Sequence, residues 1–299
     1  MPTDMMPTDM MHMQAQQPQL PEFYNYQMFF IIAALILYAL TAFLYSASSS
    51  GNTKGVVKQI AHAFLSLGLI ANLMVLVIRW IHGERLPLNN IFETLSFFTL
   101  ISGIILFILD LWYKISDYAI YVMILIIIAL CAVAFGPGFE HERTSIPPSM
   151  PALNSYWLPI HVIITFIAYA GFAVAACAGV RYLIIKSFHA DTTPYEATMN
   201  TLDAIMYKLI SISYVLLGAG IISGSIWANE AWGGYWMWDP KEVWSLITWV
   251  FYTMYLHTRY KTSWGKATYA GLSVVGFICV VFTYICVSYL RVFSGEHSF

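Results

Sequence analysis

Trp227-Ala-Asn-Glu-Ala-Trp-Gly-Gly-Tyr-Trp-Met-Trp-Asp-Pro-Lys-Glu-Val-Trp-Ser-Leu-Ile-Thr-Trp249 carries six of the chain's ten tryptophans and joins two apolar runs, 203–227 and 240–258. Interfacial belts place Trp and Tyr singly near helix ends. Here Trp232, Tyr235, Trp236 and Trp238 gather around the Gly233-Gly234 pair. The stretch reads as a loop at a membrane surface between two spanning helices, and its aromatic side chains suit a large flat ligand.

The rest of the chain agrees with that setting. It is 59% hydrophobic and only 10% charged over 299 residues, against about 25% charged in soluble domains. A helical crossing takes about 20 apolar residues, and eight stretches are long enough: 27–46, 57–80, 92–113, 117–136, 158–186, 203–227, 240–258 and 267–291. The expected fold is an all-α polytopic membrane protein with about eight transmembrane helices and an extracytoplasmic Trp-rich loop. A net charge of -2 provides no basic field, which sets nucleic acid aside as a partner. Cys131, Cys177, Cys279 and Cys286 lie in apolar segments without a Cys-x-x-Cys pair, so they read as small buried residues. Residues 1–22 repeat Met-Pro-Thr-Asp-Met-Met and are rich in Met, Gln and Pro. They are expected to be a disordered tail ahead of one transmembrane domain, 23–299. No positive region precedes the first apolar run, so the tail does not read as a cleaved signal peptide.

Lys and Arg set the orientation, because they concentrate in cytoplasmic loops. With the Trp-rich loop outside, Lys54, Lys58, Lys114, Arg181, Lys186, Lys208, Arg259, Lys261 and Lys266 fall at cytoplasmic ends, nine of the fourteen basic residues. Arg79, Arg85, Arg143, Lys241 and Arg291 fall outside. An even number of spans places both termini on the same side as the Trp-rich loop. The longer loops, 81–91 and 137–157, also lie on that side, where function is expected to concentrate.

Asp239-Pro240-Lys241-Glu242 reads as a helix start, with Asp239 as N-cap, Pro240 at the first helical position and Glu242 three residues beyond the cap. Capping gives Asp239 and Glu242 a structural task, to which ligand contact would be an addition. From Pro240 to His257 is 18 residues, about 27 Å of helix, so His257 belongs near the cytoplasmic end of the helix that the loop begins. His161 falls in the first turn of the fifth span, and His297 in the short tail after Arg291. Both share the side of the Trp-rich loop. Two readings stay open for them: polar surface residues, or paired imidazoles for a six-coordinate haem iron. The external arginines are then partners for the propionates. His62, near Lys58, is an ionisable group within a span and therefore a functional suspect.

Trp-Gly-Gly-Tyr-Trp-Met-Trp-Asp-Pro-Lys-Glu-Val-Trp (232–244) resembles the tryptophan-rich WWD signature of haem-handling membrane proteins. Pro87-Leu88-Asn89-Asn90-Ile91-Phe92-Glu93-Thr94-Leu95, Tyr255-Leu256-His257-Thr258-Arg259 and the terminal His297-Ser298-Phe299 narrow the resemblance. They are similar to the CcsA/ResC family of the system II cytochrome c synthase. The resemblance runs from about residue 27 to the end. Smaller CcmC-like relatives have fewer spans and CcmF-like ones are about twice as long.

The resemblance implies that Trp232, Gly233, Gly234, Tyr235, Trp236, Trp238, Asp239, Pro240, Glu242 and Trp244 hold haem b, non-covalently, as a substrate. It implies that His161 and His297 are axial ligands there, and that His257 serves a haem site within the membrane. The chain would be the haem-binding subunit of a cytochrome c synthase (haem lyase) complex in a bacterial cytoplasmic or thylakoid membrane. Its partners would be a CcsB/ResB-like membrane subunit, an apocytochrome c with a Cys-x-x-Cys-His segment and a thiol-reducing thioredoxin-like protein. Haem and thiols carry the reacting bonds in such a reaction, and no catalytic acid–base pair stands out in the sequence. The alternatives are a haem transporter without synthase activity and a b-type cytochrome that only passes electrons.

Overall fold

The computed structural model describes residues 21–48, 54–113, 116–137, 139–146, 153, 155–189, 191–261 and 264–286. Among the described residues eight long helices follow one another: α1 (Glu22–Ser48), α2 (Lys54–Gly83), α3 (Ile91–Tyr113), α4 (Ser116–Phe135), α6 (Trp157–Phe188), α7 (Glu196–Trp232), α8 (Pro240–Lys261) and α9 (Lys266–Val281). A short α5 (Glu140–Thr144) interrupts the loop between α4 and α6, and α9 continues into a π-helical turn, Phe282–Cys286. Among the described residues there is no strand. Seven of the helices are long and apolar enough to cross a membrane. The eighth, α8, has the length at 22 residues, about 33 Å, but its Trp, Tyr and Thr side chains and charged ends make it less apolar. The lipid-facing stripes are plain on α1, where Phe29, Ile36 and Phe43 recur every seventh residue and all stand exposed. The chain is a polytopic membrane protein.

Consecutive helices run antiparallel. Opposite positions meet along α2 and α3 at Arg79–Glu93 and Asn72–Thr99, and along α7 and α8 at Gly218–Trp249 and Thr253–Tyr214. Two cores result: one centred on α1–α4 that also takes in Val174 and Ile185 of α6, Leu202 and Met206 of α7 and Ala270 of α9, and one centred on α6–α9 to which α3 adds Phe98. Helix α6 is the wall between them, and every residue from 168 to 179 on it is buried. That run is Ala-Tyr-Ala-Gly-Phe-Ala-Val-Ala-Ala-Cys-Ala-Gly. Small side chains let helix backbones approach closely in a membrane, and a Cβ on Gly171 or Gly179 would collide with Ser213 or Ser273.

Buried charges lie at the two ends of the bundle. At the Trp-rich end, the fully buried Arg79 donates Nε–H to Glu93 Oε1 at 2.9 Å, Nη1–H to Gln27 Oε1 at 3.0 Å and to the Glu142 carbonyl at 2.9 Å. Arg85 donates to the same Glu93 carboxylate at 3.0 and 3.3 Å. At the opposite end Asp110 accepts from Lys58 Nζ at 2.8 Å, His62 Nε2 at 2.5 Å and Tyr45 OH at 3.1 Å. A charge stripped of water needs such partners.

Candidate functional site

Helix α7 extends beyond the expected span and takes Trp227 and Trp232 into its last turns. It stops at Gly233, whose φ of +80° lies in the left-handed region that glycine enters without strain, and the Gly233 N–H closes on the Asn229 carbonyl at 3.0 Å. Residues 234–239 form the connection to α8. The helix start is built as its sequence predicts. Asp239 Oδ1 accepts the Lys241 N–H at 2.7 Å, Glu242 Oε2 reaches back to the Asp239 N–H at 3.2 Å, and the first helical bond runs from Val243 N–H to the Asp239 carbonyl.

Within this connection Trp238 has φ +58°. A bulky residue there carries strain of order 1–3 kcal/mol. Its indole meets that of Trp236 edge to face, with centroids 6.0 Å apart. Trp232, Tyr235 and Trp238 stand 57%, 59% and 73% exposed, so the loop offers aromatic surface outward. Trp244 turns inward instead and packs on Phe282 of the π-helical turn. Thr283 donates to the Trp244 carbonyl at 3.3 Å, which brings the end of the described chain beside the start of α8.

His161 lies in the second turn of α6, partly buried, with its ring in a notch on α7. The notch exists because Gly220 and Gly224, four residues apart, bear no side chain. A Cβ on Gly224 would stand 2.6 Å from Nδ1, and one on Gly220 would stand 2.5 Å from Thr165 Oγ1. The imidazole is bonded to the Gly220 carbonyl through Nδ1 at 2.7 Å. A carbonyl only accepts, so Nδ1 carries the hydrogen and Nε2 of the neutral ring keeps its lone pair. Metal-ligating histidines are commonly oriented this way. Gly224 is eight residues before Trp232, about 12 Å along the helix, and the Lys241 ammonium lies within electrostatic reach of the ring. The sequence signal for the notch was available, two glycines at helical spacing ahead of the Trp-rich stretch.

The remaining expected site residues divide. Gly234, Pro240, Asp239 and Glu242 lie in or beside the loop, the last two engaged with backbone amides. His297 lies outside the described residues, as does Arg291. His257 is exposed on the last turns of α8, at the opposite end of the bundle from His161. A small apolar cleft between α8 and α9, lined by Phe251, Met254, Tyr255, Thr258, Trp264 and Leu272, opens beside it.

The arginines expected to meet propionates are largely occupied. Arg79 is spent on Glu93, Gln27 and the α5 segment, and the buried Arg143 donates to the Val133 and Gly136 carbonyls. His62 is bound to Asp110. Among the described residues no three His, Cys, Asp or Glu side chains converge as a metal centre.

The chain matches the family described as cytochrome C assembly protein over residues 88–293. The cytochrome c biogenesis protein CcsA of Chlamydomonas reinhardtii is 35% identical over 251 residues, covering 81% of this chain and 69% of that one. CcsA of Guillardia theta is 34% identical over 78% of this chain and 83% of its own length, and that of Synechococcus sp. strain CC9902 is 31% identical over 90% and 94%. Among solved structures, cytochrome c heme lyase CcmF superposes with a TM-score of 0.64 at 16% identity, over 92% of this chain and 50% of that chain. That last likeness is one of fold.

Proposed function

The chain belongs to the cytochrome c assembly family, in its CcsA branch, and its process is cytochrome c biogenesis; from that premise we propose that its Trp-rich end binds haem and presents it for thioether attachment to an apocytochrome. The observation that carries this reading is the pairing of an outward aromatic surface, Trp232, Tyr235 and Trp238, with an imidazole whose Nε2 lone pair is left for a metal by the Gly220 bond. A flat macrocycle matches the first and its iron the second. His297 supplies the second axial ligand in this proposal. The substrate is haem b, held non-covalently until the cysteine thiols of a Cys-x-x-Cys-His segment add across its vinyl groups. The protein's part is to orient haem and thiols and to keep water and competing ligands away.

A CcsB/ResB-like membrane subunit is the proposed partner, because His257 stands exposed on α8 and an ionisable ring within a membrane protein calls for a covering group. A thioredoxin-like protein is proposed to keep the thiols reduced. The Trp-rich end is proposed to face away from the cytoplasm, in a bacterial cytoplasmic or thylakoid membrane. The distribution of exposed cations supports that reading: Arg79 and Arg143 at the Trp-rich end are buried within the fold and Lys241 is exposed there, whereas Lys208, Lys261 and Lys266 stand exposed at the opposite end. Replacing His161 and His297 together by alanine tests the function directly. Loss of covalent haem attachment is expected, and a normal yield of holocytochrome in that double variant refutes the proposal.

A further inference from the structure

The loop contains two left-handed residues, and only one of them is a glycine. Gly233 takes its φ of +80° freely, whereas Trp238 holds φ +58° against the crowding of its own Cβ. Something must hold it there. The amides one residue before and one residue after it, Met237 N–H and Asp239 N–H, both donate to Glu242 Oε2, at 2.8 and 3.2 Å. A capping box at Asp239 needs only the second of these bonds. The Met237 bond is additional, and it ties the far side of Trp238 to the same oxygen.

We propose that Glu242 is a positioning residue: its carboxylate holds Trp238 in the left-handed conformation that turns the indole outward, and acts on the substrate only through that ring. The inference rests on the reading of the loop as the haem platform. It differs from direct contact in what the side chain must be. Positioning needs an acceptor oxygen at the reach of a Glu side chain, and charge is immaterial; contact with iron or another cation needs the charge.

Three variants of the full-length chain separate the two, read by the haem that co-purifies per polypeptide and by its absorption spectrum. Glu242→Gln keeps the reach and an acceptor oxygen, and is expected to retain haem and spectrum. Glu242→Asp keeps the charge and a residue favourable in a first helical turn, but is one methylene short of Met237. It is expected to lose haem on the order of tenfold, as is Glu242→Ala. Retention by the Asp variant, or loss by the Gln variant, overturns the proposal, and that pair decides the matter even if the Ala variant fails to accumulate. Trp232, Trp236 and Trp238 replaced together by Ala test the underlying reading. Retention of haem by that triple variant refutes the platform itself, whereas loss there with retention in Glu242→Asp refutes only the role of Glu242.

Discussion

His161 donates its Nδ1 hydrogen to the Gly220 carbonyl across the α6–α7 contact at 2.7 Å, and the ring fits there because Gly224 leaves room. Tautomer and direction of the imidazole are therefore set by a neighbouring backbone. In Gly224→Ala the new methyl would stand 2.6 Å from Nδ1, so the ring must leave its seat. The expected result is a co-purified haem whose spectrum departs from the six-coordinate low-spin form, with a loss of stability of about 1–3 kcal/mol from overpacking. An unchanged spectrum would separate His161 from the iron.

Orientation is open to labelling. With Gly234→Cys in the loop and Thr268→Cys near the start of α9, a membrane-impermeant maleimide is expected to reach only the first in intact cells, and the second only after permeabilisation. The reverse pattern overturns the proposed sidedness.

His257→Ala is expected to lower the haem that co-purifies while leaving the unfolding midpoint nearly unchanged, since the side chain is exposed and surface substitutions typically shift stability by about 0.5 kcal/mol or less. Equal haem content in variant and parent argues against a membrane haem site there.

The ion pairs predict the opposite signature. Glu93→Ala strands the buried Arg79 and is expected to cost about 3–5 kcal/mol, read by unfolding in detergent. Asp110→Asn, at the far end, should also destabilise through Lys58, His62 and Tyr45. Haem content per folded molecule should hold in Asp110→Asn; a selective loss of haem with normal stability would assign that cluster a direct role.

Local chemistry was legible in the sequence and long-range pairing was not. Asp239, Pro240 and Glu242 form the predicted helix start because a capping box is complete within four residues. The apolar spans emerged because each is a property of its own composition. Helix α7 runs on to Trp232 because Trp227-Ala-Asn-Glu-Ala-Trp is compatible with a helix until Gly233 ends it, a boundary that hydropathy does not mark. Arg79 looked like an external cation for a ligand, and His62 like an isolated suspect. Their partners lie fourteen and forty-eight residues away, on neighbouring helices, where only the packing reveals them. The notch for His161 is an intermediate case: the spacing of Gly220 and Gly224 is visible in the sequence, but what it seats is seen only when α6 is laid against α7.

Among the described residues, formally charged side chains keep to the two ends of the bundle: Arg79, Glu93, Arg143, Glu230 and Lys241 at one, Lys58, Asp110, Arg181, Asp203 and Arg259 at the other. Between them lies the slab of α6 built mainly from alanine and glycine, with one each of tyrosine, phenylalanine, valine and cysteine. Such a layer is an electrical insulator. In a membrane it leaves no formally charged route through the bundle, among the described residues, along which a proton gradient could discharge.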